Sequence, residues 1–307
     1  MILAQLPNNW ELASLLCKLL LYLAAASVAG GSFCLWQFSD GRRISVYHNL
    51  SYMMIGAIVG FQAVLINFFI QVGSLNDSGL GGMFDWNIAS ILLGTSLGEV
   101  TFYRLGAFVW VLLAILFYLR KLRFSTQPFS LIQYRRLVTV FALPFLFVAN
   151  TLRVSGHVSV LSTFSQLAIV LHFSAFALWI GSLYPLLLLS RSTDKEYLRF
   201  GMQRFGDLAI GIVAVLFVAG ALMAWQLIGS FDALLHTSYG QALLLKLLLV
   251  LGLLGIAGIN KLLLVPGLST ADGASKLGAS IRYEMLAATL VLIVTAYFST
   301  IIGPAGH

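Results

Sequence analysis

The chain has 307 residues, 60% of them hydrophobic and only 9% charged, with a formal net charge of +7. A soluble domain of this size would carry about a quarter charged residues, so the soluble globular class is excluded. The surplus of Lys and Arg falls in alternate loops rather than in one patch, which excludes a nucleic-acid footprint.

Eight apolar runs long enough to cross a bilayer as helices follow one another, at about 12–36, 50–72, 100–119, 137–156, 163–190, 206–229, 240–265 and 282–303. The first lacks a basic leader and a small-residue cleavage site, so it reads as a retained span. Its two cysteines, Cys17 and Cys34, lie about 25 Å apart along a helix and cannot bridge each other; they read as small apolar filler. Segment 78–98, with Phe84, Trp86 and Ile91, has the aromatic and apolar content of a helix lying flat on the membrane surface.

Charge orients the spans. Arg42 and Arg43, then Arg120, Lys121, Arg123, Arg135 and Arg136, then Arg191, Lys195, Arg199 and Arg204, and finally Lys261, Lys276 and Arg282 occupy alternate loops. The intervening segments carry Glu11; Asp77, Asp85 and Glu99; and Asp232, with no Lys or Arg. Basic loops stay in the cytoplasm, so both termini are expected to be periplasmic, as an even number of spans requires.

The halves read alike. Leu92-Leu93-Gly94-Thr95-Ser96-Leu97-Gly98 returns as Leu234-Leu235-His236-Thr237-Ser238-Tyr239-Gly240, each with a basic residue six positions later, Arg104 and Lys246. At a nearby offset, Leu21-Tyr22 matches Leu171-His172, and Gly156-His157 matches Gly306-His307. The expected fold is all-α: one transmembrane domain over 1–307, in two parallel four-helix repeats of about 11–157 and 163–307.

Polar residues inside spans are costly and point to function. Lys18, Asn67, Gln71, Arg104, Asn150, Arg153, His157, His172 and Lys246 all fall in the periplasmic half. Asn150, Arg153 and His157 share one helix face at i, i+3 and i+7. Two readings stay open: an outer polar pocket, or basic residues that snorkel and amides that bridge helices. Of the five histidines only His48 maps to the inner side. Imidazole ligates copper, zinc, iron or nickel, and Met83 and Met223 are outer soft donors or plain filler.

Family motifs lie on these same residues. Leu171-His172 through Trp179, Gly181 and Leu183 resembles the fifth-span signature LHxxxxxxWxGxL of the bacterial copper resistance protein D family. Thr237-Ser238-Tyr239-Gly240 through Lys246 is similar to its T-x-Y-G-x-x-L-L-x-K segment. Asn260-Lys261, Pro266, Arg282 and Glu284 resemble its N-[RK]…P…R-x-E ending, and Gly156-His157 its Gly-His after span 4. The resemblance implies a multi-pass protein of the bacterial inner membrane that binds and imports copper and is not an enzyme, often beside a small, separate periplasmic copper-binding partner. His157 and His172 are the first candidate ligands, and His307 and His236 further ones. Asn150, Arg153 and Lys246 would orient them or set the local charge. The fifth-span signature is also similar to that of HemJ-type protoporphyrinogen oxidases, so a haem-binding redox protein, with His172 on the iron, is the alternative.

Overall fold

The computed structural model describes residues 7–38, 43–76, 78–124, 130–154, 162–228 and 230–302. In chain order its helices are α1 (Asn9–Phe38), α2 (Arg43–Asn76), α3 (Trp86–Leu93), α4 (Ser96–Phe124), α5 (Leu131–Asn150), α6 (Thr163–Leu189), α7 (Lys195–Ile228), α8 (Phe231–His236), α9 (Ser238–Ile259) and α10 (Gly273–Tyr297). Helices α9 and α10 run on into π turns, Asn260–Leu264 and Phe298–Ile302. Among the described residues there is no strand, and eight helices, all but α3 and α8, are long and apolar enough to cross a membrane. This is an all-α, multi-pass membrane protein.

Three helices begin well before their apolar windows. Helix α2 starts at Arg43, α7 at Lys195 and α10 at Gly273, where the hydropathy alone placed starts near 50, 206 and 282. By charge these stretches read as basic loops. Lys, Arg and Glu are good helix formers, and their long stems let a helix continue past the hydrocarbon while the charge stays wet. The consequence is largest in α10, where Glu284 stands three turns inside the helix instead of at its mouth.

The two look-alike segments fold alike locally. Each is a short helix, a tight turn and the start of a span. Thr95 Oγ1 donates to the Leu92 carbonyl at 2.7 Å, and Thr237 Oγ1 to that of Ala233 at 2.6 Å. A side chain at Gly98 would run into the Leu93 backbone, and one at Gly240 into Leu234. Only glycine lets the span turn so closely under the short helix. Asp85 caps α3 through the amides of Asn87 and Ile88, and Ser230 caps α8 through that of Ala233. Both short helices leave apolar residues exposed, Trp86 and Ile91 in α3, Phe231 and Leu235 in α8, as suits the membrane surface. Helix α8 was not expected.

Side chains divide into two cores. One joins α1, α2, α4 and α5 with Phe173 and Ala177 of α6; the other joins α6, α7, α9 and α10 with Cys34 and Phe38 of α1. Helices α1 and α6 therefore serve both. They cross at Gly30 and Gly181, where a Cβ on either would strike the other helix's backbone. Small residues give such close approach between membrane helices. Pro185 has no N–H to offer the Gly181 carbonyl one turn back, and Tyr52 of α2 supplies the missing donor, its hydroxyl 3.1 Å from that oxygen. Both cysteines are buried and free.

Candidate functional site: a histidine among cations and a buried carboxylate

Helix α6 begins at the end of the bundle opposite the basic loops. His172 lies nine residues in, about 13 Å along the axis. Its Nδ1 is 2.8 Å from the backbone carbonyl of Leu216 on α7. A carbonyl can only accept, so Nδ1 carries a proton, and in the neutral ring Nε2 keeps its lone pair. This is the arrangement in which one ring nitrogen is fixed so that the other is free to ligate. The ring stands over Gly220 of α7: a Cβ there would lie 2.9 Å from Cε1 and 3.0 Å from Nδ1.

Lys246 of α9 is within electrostatic reach of His172, and its Nζ sits 5.5 Å from the centre of the Phe298 ring. The other half has the matching pair: Arg104 is within reach of Tyr22, which holds the place of His172 in the sequence repeat. Arg104 Nε donates to Thr151 Oγ1 at 2.9 Å. Lys18 also faces Arg104 and donates to the Ser299 carbonyl and Thr300 Oγ1 at 3.2 and 3.4 Å. Lys18 and Lys246 thus turn onto the last turn of α10 rather than out to headgroups. Among the described residues no carboxylate pairs with Lys18, Arg104 or Lys246.

Asn150 and Arg153 meet as their spacing implied, Arg153 Nη1 donating to Asn150 Oδ1 at 3.2 Å. Arg153 Nη2 also donates to Gln166 Oε1 at 3.4 Å, tying the end of α5 to α6. Gln166 is about 9 Å from His172 along α6. His157 and His307 lie outside the described residues. His236 is an exposed residue of α8, 3.0 Å from Asp232 Oδ1. Gln71 Nε2 donates to Ser14 Oγ at 3.0 Å and simply bridges α2 to α1. Met83 packs against Gly73, and Met223 is half-buried. Among the described residues no three His, Cys, Asp or Glu side chains cluster as a ready metal cage.

A second polar cluster lies about 10 Å further along α6. Glu284 of α10 accepts from Trp179 Nε1 at 3.1 Å and from Asn260 Nδ2 at 2.7 Å. All three are buried, Glu284 at 3% exposure, Trp179 at 2% and Asn260 at 8%. In the sequence these three are residues of the family-like motifs, with no site attached to them. With α10 starting at 282, Glu284 reads as a residue of the helix mouth, so nothing marked it as buried.

Eight membrane-capable helices that, among the described residues, half-bury a histidine and three cations and fully bury one carboxylate define a polytopic membrane protein with a polar interior. Residues 201–298 match the family model for copper resistance protein D. Over 298 residues the chain is 26% identical to the copper transport protein CutJ of Bacillus subtilis (strain 168), an alignment covering 94% of this chain and 52% of that protein. The chain spans about half the length of that curated relative. No solved structure matches.

Proposed function

We propose that this protein carries copper across the bacterial inner membrane toward the cytoplasm and takes the ion from the periplasmic side on His172. The observation that carries this reading is the orientation of that imidazole: Nδ1–H is committed to the Leu216 carbonyl, so in the neutral ring Nε2 is the fixed metal donor. Copper is cargo here, held long enough to enter and weakly enough to leave. In this reading the basic loops, and with them the opposite end of the bundle, face the cytoplasm. His157, four residues beyond the Arg153 that is bonded to α6, is the second ligand in this reading. His236, exposed and engaged with Asp232, is not needed for it.

The charge around the site favours cuprous over cupric ion. Repulsion from Lys246 is twice as large for a divalent ion at the same place, and the surroundings hold no carboxylate among the described residues to offset it. The family-model match over residues 201–298 and the likeness to a copper transport protein support the metal, and the second supports transport.

The test is elemental analysis of the purified full chain in detergent after loading with cuprous ion and washing, for wild type and His172→Ala. Near-stoichiometric copper in wild type, lost in a variant that elutes and melts normally, is the expected result. Unchanged copper in the folded variant overturns the assignment. Near-stoichiometric iron without retained copper replaces it with a haem protein on the same helix.

A further inference from the structure

Glu284 is the one carboxylate among the described residues that is held deep in a core. Its two hydrogen bonds come from neutral donors, Trp179 Nε1 and Asn260 Nδ2. No ion pair reaches it among the described residues. The charged groups of the neighbouring elements are accounted for elsewhere. Lys261, next to Asn260, gives its Nζ to the Gly206 carbonyl and to Asp207 Oδ1 of α7, both at 2.8 Å. Arg204 of α7 holds Gln37 Oε1, and Arg282 lies on the exposed face of α10. Helix α6 has His172 as its only titratable side chain besides Tyr184, and α1 brings the neutral thiol of Cys34 to the same core.

An isolated carboxylate in such surroundings costs several kcal/mol unless a cation compensates it. A second observation points to where that cation sits. Asn260 Oδ1 is buried and has no hydrogen-bond partner, a costly state for an amide oxygen. It belongs to the same side chain whose Nδ2 touches Glu284, at the point where α9 widens into its π turn, a distortion found often at functional positions. A carboxylate lacking a cation and an amide oxygen lacking a donor therefore stand together. Carboxylate and carbonyl oxygens are hard donors, unsuited to the soft cuprous ion.

We propose that Glu284 and Asn260 form a binding site for a monovalent hard cation, H⁺ or Na⁺, in the cytoplasmic half of the membrane, with Trp179 holding the carboxylate in place. A bound proton makes Glu284 a donor, and rotation of the Asn260 amide lets Oδ1 accept it. A bound sodium ion draws on both oxygens directly. Either removes the net charge. The site stands on its own geometry; its use as the ion that accompanies copper rests on the transport reading.

Infrared difference spectroscopy on the full chain in detergent tests this without copper, so the result stands whatever becomes of the copper reading. The probes are pH steps without sodium and sodium steps at fixed pH. Wild type should show a Glu284 band that changes with one of them, the carboxyl carbonyl stretch with pH for a proton site or the carboxylate stretches with sodium for a sodium site, and the change should vanish in Glu284→Gln. Glutamine keeps an acceptor for Trp179 and offers a donor to Asn260 Oδ1, so the variant retains its packing. Trp179→Phe is the second variant: loss of one hydrogen bond shifts the same band if Glu284 is its source. A wild-type spectrum that responds to neither probe, or a response that both variants leave untouched, overturns the proposal.

Discussion

His172 rests on Gly220. An added methyl group on that glycine would lie 2.9 Å from the ring carbon Cε1 and 3.0 Å from Nδ1, the nitrogen that holds the Leu216 carbonyl. Position and tautomer of the ring therefore share one support on α7. Gly220→Ala is expected to separate stability from ligation. Alanine gains about 1 kcal/mol of helix propensity, while crowding the ring costs about 1–3 kcal/mol, so the melting temperature in detergent should fall only slightly. The ring cannot move without stretching its bond to Leu216. Cuprous affinity, read by competition with a chelator, should drop about tenfold or more, equivalent to about 1.4 kcal/mol. An unchanged affinity would mean that the ring's place is not what the metal reads.

The crossing of α1 and α6 makes a harsher demand. Gly30 and Gly181 meet backbone to backbone, and a backbone has no rotamer by which to step aside. Gly30→Ala is expected to destabilise the protein at or above the upper end of the 1–3 kcal/mol that overpacking usually costs. Gly106→Ala, on a helix position with open space around it, should be neutral or slightly stabilising by propensity. Thermal melts of the two variants with size-exclusion profiles decide this; equal melting temperatures would contradict the close crossing.

Much of this architecture is legible in the chain because the bilayer leaves few options. Apolar runs must be helices, since no other element satisfies its backbone in lipid without closing a barrel. The Arg104–Lys246 and Tyr22–His172 correspondences likewise pointed to residues that sit as basic–aromatic pairs in the two halves. What hydropathy misses is decided by contacts distant in sequence. Glu284 looked peripheral because Lys276 and Arg282 disguise the first turns of α10. Its partners Trp179 and Asn260 stand 105 and 24 positions away, a convergence no local pattern encodes. Helix α8 escaped notice because six residues hold too little periodicity; its Ser230 cap was the available signal.

Trp179→Phe should destabilise the fold although it leaves the apolar volume nearly intact. Glu284 Oε1 would lose its donor at a site only 3% exposed, and an unsatisfied buried polar group costs about 1–3 kcal/mol, more when charged. Glu284→Ala should cost more, because it orphans both the indole N–H and the Asn260 amide and opens a cavity. The expected order of melting temperatures is wild type, then Glu284→Gln, Trp179→Phe and Glu284→Ala. A Trp179→Phe variant as stable as wild type would show that the indole hydrogen bond contributes nothing.

Since Cys17 and Cys34 are both buried, single cysteines placed on exposed positions report sidedness cleanly. His236→Cys lies on α8, at the end of the bundle where α3 and α8 expose their apolar residues, and Arg191→Cys lies on an exposed basic connection between α6 and α7. The positive-inside rule predicts that a membrane-impermeant maleimide labels the first in intact cells stripped of their outer membrane and the second only after lysis. Because α6 runs from one of these ends to the other, the result also fixes which side of the membrane can load His172. The reverse pattern would leave the fold untouched but turn the proposed path around, with the histidine facing the cytoplasm and the Glu284 site facing outward.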